Sequence, residues 1–391
     1  MAIVVDSYEK LDDGSTLVRW HLLDENYQLI KPVERFLRFK LRGGAALGTI
    51  KTYAEKLKQF WLYLHMKKLD WQDFDGRNHL SEFGYWYMTG NILNATVPTP
   101  TSASQKAPRS ERTTNLALTV VTQFYEFHTA IGNLEDKHLR TYRRANGRKR
   151  GGLLAGHLKE SPLSTKVVHY AETKKYPGSL RSEQVRLLMD ACRTARDKLM
   201  LWLLADTGMR KGELLGLHWS DLDWGKRTLK IVRRNNPNQA YAKGQERELS
   251  ISQLLQDHEF HEIFSQYADQ EYPREVVRQL GHDMIFVVLH IGSHSCGQPL
   301  CPQNINKLIK RLHRKTGIEL ERIYPHLFRH SFATHQIREG RKSGENKDDV
   351  AKVVQRQLGH KSIATTLDIY DHSFNEAELG KTIRRLTDEW A

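Results

Sequence analysis

Apolar residues along the N-terminal half of the chain follow a helical period. From Thr49 onward they recur every three or four positions, so that Leu57 and Phe60 share one face while lysines occupy the other. The stretches 80–88 and 114–128 repeat this pattern. The N-terminal half is therefore predicted to be a small bundle of helices.

Two shorter segments of this half are not helical in pattern. Residues 16–30 hold two mixed apolar and polar runs around Asp24 and Asn26, which predicts a β-hairpin. Residues 95–112 are rich in Pro, Ser and Thr, a composition typical of a loop.

The C-terminal half mixes helical and strand-like patterns. Helices are predicted at 182–208, 209–222 and 303–315, and the first and third of these end at a glycine, Gly208 and Gly317. Strands are predicted at 228–234, 240–252 and 284–290. We expect the first two strands to pair as a hairpin through a loop containing Asn235, Asn236 and Pro237, with Lys243 and Gly244 near a tip or rim. A final amphipathic helix is predicted from one apolar stripe, formed by Leu379, Ile383, Leu386 and Trp390.

These elements predict a mainly α-helical protein with a small antiparallel β-sheet, arranged in two domains. Residues 161–180 have no sustained period and contain two prolines, so they are predicted to be an extended linker. The expected order is a hairpin arm at 1–35, a helical domain at 36–160, the linker, and a second domain with a C-terminal helix at 181–391.

The net charge of the chain indicates which kind of molecule it binds. The formal net charge is +14 over 391 residues, and the sequence pI is about 9.5. Such an excess of cations predicts a polyanionic partner, either nucleic acid or an acidic membrane surface. No apolar run has the length of a membrane span, and no secretion signal is recognisable at the N-terminus. Three cysteines are typical of a reducing compartment, so we expect a cytoplasmic protein that associates with the nucleoid through DNA.

One basic run stands out within this excess. It lies in the sequence TYRRANGRKRGG and comprises Arg140, Arg143, Arg144, Arg148, Lys149 and Arg150. Contact with DNA phosphates and a merely solvated charged face are both open interpretations of this run.

The residues that indicate chemistry lie between 325 and 370. His326, Arg329 and His330 share one face of a predicted helix, and His360 and Tyr370 follow. Arginine binds phosphate through its planar fork, histidine exchanges protons near neutral pH, and a tyrosine hydroxyl can act as a covalent nucleophile. Each residue alone is more often structural, so the set carries the argument.

The motifs resemble, in order and spacing, the catalytic domain of the tyrosine recombinase, or phage integrase, family. The matching segments are TGMRKGELLGL around Arg210, HLFRH around Arg329, LGH at His360, and Tyr370 ten residues later. The motif resemblance covers about residues 180–372. It implies a site-specific DNA recombinase with a helical core DNA-binding domain at 36–160 and a catalytic domain at 181–391. These two domains would close around duplex DNA as a C-shaped clamp.

The resemblance implies roles for the residues that bind and cut the DNA strand. Arg210 and Arg329 would clamp the scissile phosphate, and Tyr370 would attack it to leave a 3′-phosphotyrosyl link and a free 5′-hydroxyl. Lys243 would protonate the leaving 5′-oxygen, although Lys230 on the preceding strand is an alternative. No metal, ATP or other cofactor would be needed.

Further roles follow from the same resemblance. His326 would accept or hold the tyrosine proton, and His360 would bind the phosphate or assist proton transfer. Glu213 would orient the active-site side chains, unless it only pairs with Lys211 or a distant arginine. His330 is expected to be structural. A polar segment at 338–355 reads as a loop insertion before the helix that carries His360.

The implied partner is double-stranded DNA with a specific site of inverted repeats. The protein would bind each site as a homodimer and join two sites as a homotetramer, for integration, excision or transposition of a mobile element. A type IB topoisomerase and a catalytically silent DNA-binding regulator are the alternatives.

A cysteine and histidine cluster provides the one hint of a metal. It comprises His290, His294, Cys296 and Cys301, with irregular spacing around a Gly-Gln-Pro sequence. The interpretation as a turn is preferred to a zinc site.

Overall fold

The computed structural model describes residues 2–10, 16–90, 108–137, 139–143, 163–172, 178–252, 254–290 and 292–359. The chain forms two compact units, residues 1–174 and 175–391. Both are mainly helical and carry small antiparallel sheets, which confirms the predicted fold class.

The first unit combines a β-hairpin, four helices and a second two-stranded sheet. Its elements are β1 (Ile3–Lys10), β2 (Thr16–Leu23), α1 (Lys31–Arg42), α2 (Leu47–Lys67), α3 (Gly76–Thr89), α4 (Glu111–Ala130), β3 (Arg140–Arg143) and β4 (Leu163–Lys166). The three helices predicted from periodicity correspond to α2, α3 and α4. Sequence reasoning missed α1, whose Pro32 lies in the first turn, where the missing N–H costs no helical hydrogen bond.

Aromatic side chains fill the core of this unit. Phe60 is completely buried and meets Phe74, Phe83 and Tyr125 edge-on, with ring centroids 5.0, 5.2 and 5.9 Å apart. This geometry is favourable for aromatic pairs because the positive edge of one ring faces the negative face of the next. The α2 pattern around Phe60 therefore predicted the buried face correctly.

The N-terminal hairpin differs from the prediction. β2 pairs antiparallel with β1, in a register that places Val5 opposite His21, whereas residues 24–28 form a turn. The predicted hairpin within 16–30 is therefore wrong, because its second run makes only an isolated bridge between Leu23 and Leu29. The sheet is tied to α1 by a hydrogen-bonded pair of His21 and Glu34 at 2.8 Å.

Part of the predicted linker belongs to the first unit. β4 pairs antiparallel with β3, and Tyr170 packs against the aromatic core. The side-chain amide of Asn115 on α4 also donates to the carbonyl of Tyr170 at 2.8 Å. Pairing between strands about 20 residues apart leaves no periodic signal within either segment alone.

The second unit consists of helices, among them the buried α6, and a three-stranded sheet. Its elements are α5 (Ser182–Asp190), α6 (Ala195–Thr207), α7 (Lys211–Leu214), β5 (Leu222–Asp223), β6 (Thr228–Ile231), β7 (Arg247–Ser250), α8 (His258–Ser265), α9 (Arg274–Gln279), α10 (Pro302–Thr316), α11 (Pro325–Lys342) and α12 (Lys347–Leu358). A π-helical stretch continues α8 from Gln266 to Glu271.

The single helix predicted at 182–208 is two helices. Thr194 interrupts it, because its hydroxyl caps the new N-terminus by accepting from the Asp197 backbone N–H at 3.2 Å. α6 then ends at Gly208, whose φ of +62° lies in the left-handed region that glycine adopts without strain. The predicted stop at Gly208 is confirmed, and it places Arg210 just beyond a buried helix.

The predicted pairing of two strands in the second unit is confirmed, but the second strand begins at Arg247 and not at residue 240, so Lys243 lies in the connecting loop. β6 pairs with β7, and β5 adds a third strand at the edge of β6. Leu229 and Leu249 lie opposite each other and are both buried. The strand predicted at 284–290 is wrong, since this segment makes only isolated bridges, including Val287 to Pro299. Its apolar residues are instead drawn into the core, as Ile285 and Phe286 show.

The polar insertion expected at 338–355 reduces to a short connection at 343–346. α11 continues to Lys342, and α12 begins after Asn346, whose side chain accepts from the Asp348 backbone N–H at 2.8 Å. Gly340 lets the two helices meet, because a Cβ there would lie 2.6 Å from Val350. α12 ends at Gly359, again with a φ of +62°.

The cysteine and histidine segment forms turns, as predicted. The Cys296 backbone N–H donates to the Ser293 carbonyl at 2.9 Å, and Gly297 has a φ of +76°. The part of the chain that the structure describes contains no group of three or more potential metal ligands. None of the described helices combines the length and apolar character that crossing a membrane requires.

Candidate active site

Arg210 follows the end of α6 and precedes the first turn of α7. Glu213 in that turn accepts twice from it, through Oε2 from the Arg210 backbone N–H and through Oε1 from its Nη1, both at 2.9 Å. The carboxylate thus caps the helix and holds the guanidinium of Arg210 at once. About a quarter of the Arg210 side-chain surface is exposed, whereas the Glu213 side chain is fully buried.

Arg329 lies on α11 and is almost completely buried. Its Nη1 donates to the Gly208 carbonyl at 2.9 Å, and its Nη2 to the Leu358 carbonyl at 2.6 Å. Its Nε is buried without a hydrogen-bond partner among the described residues. Burial and the positive charge of Arg210 lower the pKa of Arg329 to about 9, so its guanidinium stays charged at neutral pH.

Arg247 is a residue that sequence reasoning missed. It opens β7 and binds Glu213 with both terminal nitrogens, Nη2 to Oε2 at 2.9 Å and Nη1 to Oε1 at 3.2 Å. Burial alone would raise the pKa of Glu213, but Arg247 and Arg210 together hold it below the usual range. Glu213 therefore pairs with Arg210 and Arg247, not with Lys211, and no signal in the sequence pattern identified Arg247.

The loop between β6 and β7 brings Lys243 to this cluster. A Cβ added at Gly244 would lie 2.8 Å from Nη1 of Arg210 and 3.2 Å from Oε1 of Glu213. Lys211, the neighbour of Arg210, has a lowered pKa because of burial and the charge of Lys243. Lys230, the alternative, lies on β6 and faces Glu248 across the sheet at 3.9 Å. The geometry therefore favours Lys243.

His326 and His330 lie on successive turns of α11, one on each side of Arg329 in sequence. Their ring centroids are 4.7 Å apart at nearly a right angle. His326 is partly exposed, yet loss of hydration, with the charges of His330, Arg329 and Arg210, lowers its pKa to about 4. Burial, together with Arg329, also lowers the pKa of His330. A neutral ring at position 326 can accept a proton.

The end of α12 closes the cluster from another side. The Leu358 carbonyl accepts from Arg329, and at 3.5 Å also from Nη1 of Arg210. His360 and Tyr370 follow this point in sequence but lie outside the described residues. The predicted final helix, with its stripe from Leu379 to Trp390, also lies outside them.

The basic run belongs to the first unit. Arg140 and Arg143 begin and end β3, and Arg144, Arg148, Lys149 and Arg150 lie outside the described residues. Contact between this run and DNA stays a prediction.

Arg210 and Arg247 thus both bind the Glu213 carboxylate, and Arg329 lies near enough for the charge of Glu213 to act on it. Arg210 keeps part of its surface exposed, and the buried Nε of Arg329 is unpaired among the described residues. An unpaired buried N–H is costly, and a phosphate oxygen is the kind of acceptor that would satisfy it. The arrangement can bind one phosphate group and stabilise negative charge that develops on it.

Comparison with known proteins supports this chemistry. A model of the phage integrase family matches residues 179–377. Transposase A from transposon Tn554 of Staphylococcus aureus is 34% identical over 356 residues, which cover 90% of each chain. The chain belongs to the phage integrase family. Its resemblance to tyrosine recombinases is thereby confirmed.

A second relative also matches most of the chain. Tyrosine recombinase XerD of Halalkalibacterium halodurans is 27% identical over 346 residues, 87% of this chain and 92% of that protein. This family membership makes the protein a site-specific recombinase of the kind that serves transposition or integration of mobile elements.

Solved structures of the family share the fold. The XerH site-specific recombinase bound to palindromic difH substrate, in a post-cleavage complex, has a TM-score of 0.54 and 20% identity. It covers 90% of this chain and 94% of that one. A lambda integrase tetramer bound to a Holliday junction has a TM-score of 0.50 and 16% identity, covering 85% of this chain and 77% of that one.

Proposed function

We propose that the protein cuts and rejoins DNA strands through a covalent link to Tyr370. The tyrosine oxygen attacks the scissile phosphorus, and the bond from phosphorus to the 5′-oxygen breaks. A 3′-phosphotyrosyl link and a free 5′-hydroxyl result. Because the link conserves the energy of the phosphodiester bond, rejoining by another 5′-hydroxyl needs neither ATP nor a metal.

The observation that carries this proposal is that Arg210 lies beside Arg329, whose buried Nε has no hydrogen-bond partner among the described residues. Both arginines belong to motifs that match the family, and they share the Leu358 carbonyl two residues before His360. A phosphate placed between them receives charge-assisted hydrogen bonds that strengthen as charge grows in the transition state. Removing one such donor typically costs about a hundred- to a thousandfold in rate.

Proton transfer completes the reaction. His326 is neutral at physiological pH because its pKa is lowered to about 4, so it can take the proton of the attacking hydroxyl. Lys243 donates a proton to the leaving 5′-oxygen, which supports departure of an otherwise poor leaving group. His360 assists at the phosphate, in the role that the family motif implies.

The partner that we propose is duplex DNA carrying a specific site with inverted repeats. The net charge of +14 supports phosphate contacts that weaken with salt. Binding as a dimer on each site and a tetramer when two sites meet is supported by structures of lambda integrase, which include a dimer bound to a core site and a tetramer bound to a Holliday junction. The clamp of two units and the cytoplasmic location stay predictions.

Relaxation of supercoiled DNA by a topoisomerase is not favoured, because relatives matched over most of their length are a transposase and recombinases.

Covalent capture tests the proposal. The wild type and Tyr370→Phe are incubated with nicked DNA of randomised sequence, and DNA that stays attached through detergent is sequenced. We expect adducts only with the wild type, enriched for one inverted-repeat core. DNA affinity should be nearly equal in both, because one hydroxyl adds little to an interface dominated by phosphate contacts.

Other outcomes reject parts of the proposal. Adducts formed by Tyr370→Phe would remove Tyr370 as the nucleophile. Adducts without sequence preference would indicate topoisomerase activity, and DNA binding by the wild type without any adduct, also on the DNA that flanks its gene, would indicate a silent binder.

A further inference from the structure

Arg247 uses nearly all of its hydrogen-bond donors within the protein. Both terminal nitrogens bind the Glu213 carboxylate, Nε donates to the Gln357 carbonyl at 2.8 Å, and Nη1 also reaches the Gln245 carbonyl at 3.4 Å. An arginine has five N–H donors, so these contacts occupy four of them. Arg247 is thus poorly equipped to bind a phosphate itself.

Arg329 has the opposite pattern. Two contacts occupy its terminal nitrogens, and its buried Nε has no partner among the described residues. The two arginines carry the same charge and lie near the same carboxylate, but of the two only Arg329 has an Nε that is buried and unpaired among the described residues. This difference indicates that Arg329 can bind a phosphate, whereas Arg247 holds other residues of the protein in place.

The residues that Arg247 holds come from three separate segments. Glu213 fixes Arg210, so the fork of Arg247 on Glu213 determines where Arg210 can point. Gln357 lies in the last turn of α12, and a Cβ at Gly359 would lie 3.0 Å from Nη1 of Arg247. Arg247 also anchors the strand that follows the Lys243 loop.

The desolvation of this pair makes the geometry rigid. The side chain of Arg247 is 9% exposed and that of Glu213 fully buried. A bidentate pair out of water has one preferred geometry, and loss of either partner leaves a buried charge without its counterion. Lysine in place of arginine keeps the charge but cannot form the fork.

We propose that Arg247 is a positioning residue for strand cleavage, acting through Glu213 to aim Arg210 at the scissile phosphate. This inference rests on the proposed function, because it assigns the phosphate to the pair Arg210 and Arg329. Arg247 itself does not touch the DNA. Its loss weakens the second arginine contact to the phosphate and leaves DNA binding almost intact.

The test uses the full-length protein on the DNA recovered by covalent capture. Single-turnover adduct formation is measured at saturating protein for the wild type, Arg247→Lys and Arg247→Gln. We expect cleavage to fall roughly ten- to a hundredfold in both variants, less in the lysine variant, while the Kd for DNA changes less than about threefold.

Arg196 supplies a matched control. Its guanidinium also binds a buried carboxylate, Asp197, together with a backbone carbonyl, Val287. It lies at the N-terminal end of α6, however, whereas Arg210 follows the C-terminal end. Arg196→Lys should lower the melting temperature about as much as Arg247→Lys yet cleave within about threefold of the wild type. Equal loss of cleavage in both variants would reduce Arg247 to a general structural role.

A substrate with a methylphosphonate at the scissile position distinguishes aiming of Arg210 from loss of the fold. The neutral methyl group replaces one charged oxygen, so a second arginine is needed less. On this substrate the deficit of both Arg247 variants should shrink at least about fivefold, and so should that of Arg210→Ala. An undiminished deficit, or cleavage of ordinary DNA at the wild-type rate, would overturn the inference.

The experiments distinguish failure of the proposed function from failure of the inference about Arg247. Absence of adducts from the wild type would reject the proposed function, and this inference with it. Normal wild-type adducts together with fully active Arg247 variants would reject the inference alone.

Discussion

The three arginines of this site differ in their burial and in the number of protein groups that they bind. Arg210 is partly exposed, Arg247 is nearly saturated by protein acceptors, and the Nε of buried Arg329 has no partner among the described residues. Because a buried donor is costly without an acceptor, Arg329 gains most when a phosphate arrives. At the residue scale, the number of unpaired donors therefore predicts function better than charge does.

His326 provides a prediction at this scale. Its pKa is lowered from 6.5 to about 4, so below pH 6.5 the unfolded chain takes up a proton that the folded chain does not. The stability that this neutral ring contributes is fully present above pH 6.5 and is lost as the pH falls toward 4.

An NMR titration of ¹⁵N-labelled histidines checks this prediction. The resonance of His326 is assigned by its absence in His326→Gln, and its midpoint should lie near pH 4. A midpoint at its ordinary value would show that His326 is not shielded as described and would weaken its role as a base at neutral pH.

At the scale of elements, glycines let the Lys243 loop approach the helix that follows Arg210. A Cβ at Gly212 would lie 2.6 Å from the Tyr241 carbonyl, and one at Gly244 would lie 2.8 Å from Arg210. Side chains at these points would push the loop away. The short α7 and the loop thus meet backbone to backbone, and Lys243 is placed by that contact.

Gly244→Ala should therefore impair catalysis. Its methyl group would displace the Arg210 guanidinium or the loop, and we expect cleavage to fall about tenfold or more, because small misplacements of reacting groups cost rate heavily. Gly225→Ala is the matched control in the turn between β5 and β6, where the nearest atom is 3.6 Å away. Single-turnover cleavage of the two variants is compared. Similar rates would contradict the close approach that the structure describes.

At the scale of the whole molecule, each unit has a hydrophobic core of its own. The buried cluster around Phe60 contains only residues of the first unit, and the cluster around Leu204 only residues of the second. Units of this size, with separate cores, are typical of domains that fold alone. The net charge of +14 acts at this scale too, since it favours association with a polyanion without specifying its sequence.

Separate expression tests the independence of the units. Fragments 1–174 and 175–391 should each unfold in one cooperative thermal transition, measured by calorimetry, because neither core loses a member when the chain is divided there. A fragment without a cooperative transition would show that its core depends on the other half of the chain.

The sequence by itself determined the family, the mainly helical character and the glycine ends of α6 and α10. Motifs around Arg210 and Arg329 and the glycine stop after α6 are local signals, because a helix period or a cap depends on residues within a few positions. The same reasoning found Lys243 on a hairpin loop.

Only the tertiary structure decided which residues meet. Arg247 and Glu213 are 34 positions apart, and Arg247 and Gln357 are 110 apart, so no period or motif links them. The pairing of β1 with β2, and the absence of a strand at 284–290, likewise follow from which neighbours are available. Local pattern specifies the form of each element, whereas contacts between distant elements depend on how all of them pack, and the geometry around the phosphate site arises from those contacts.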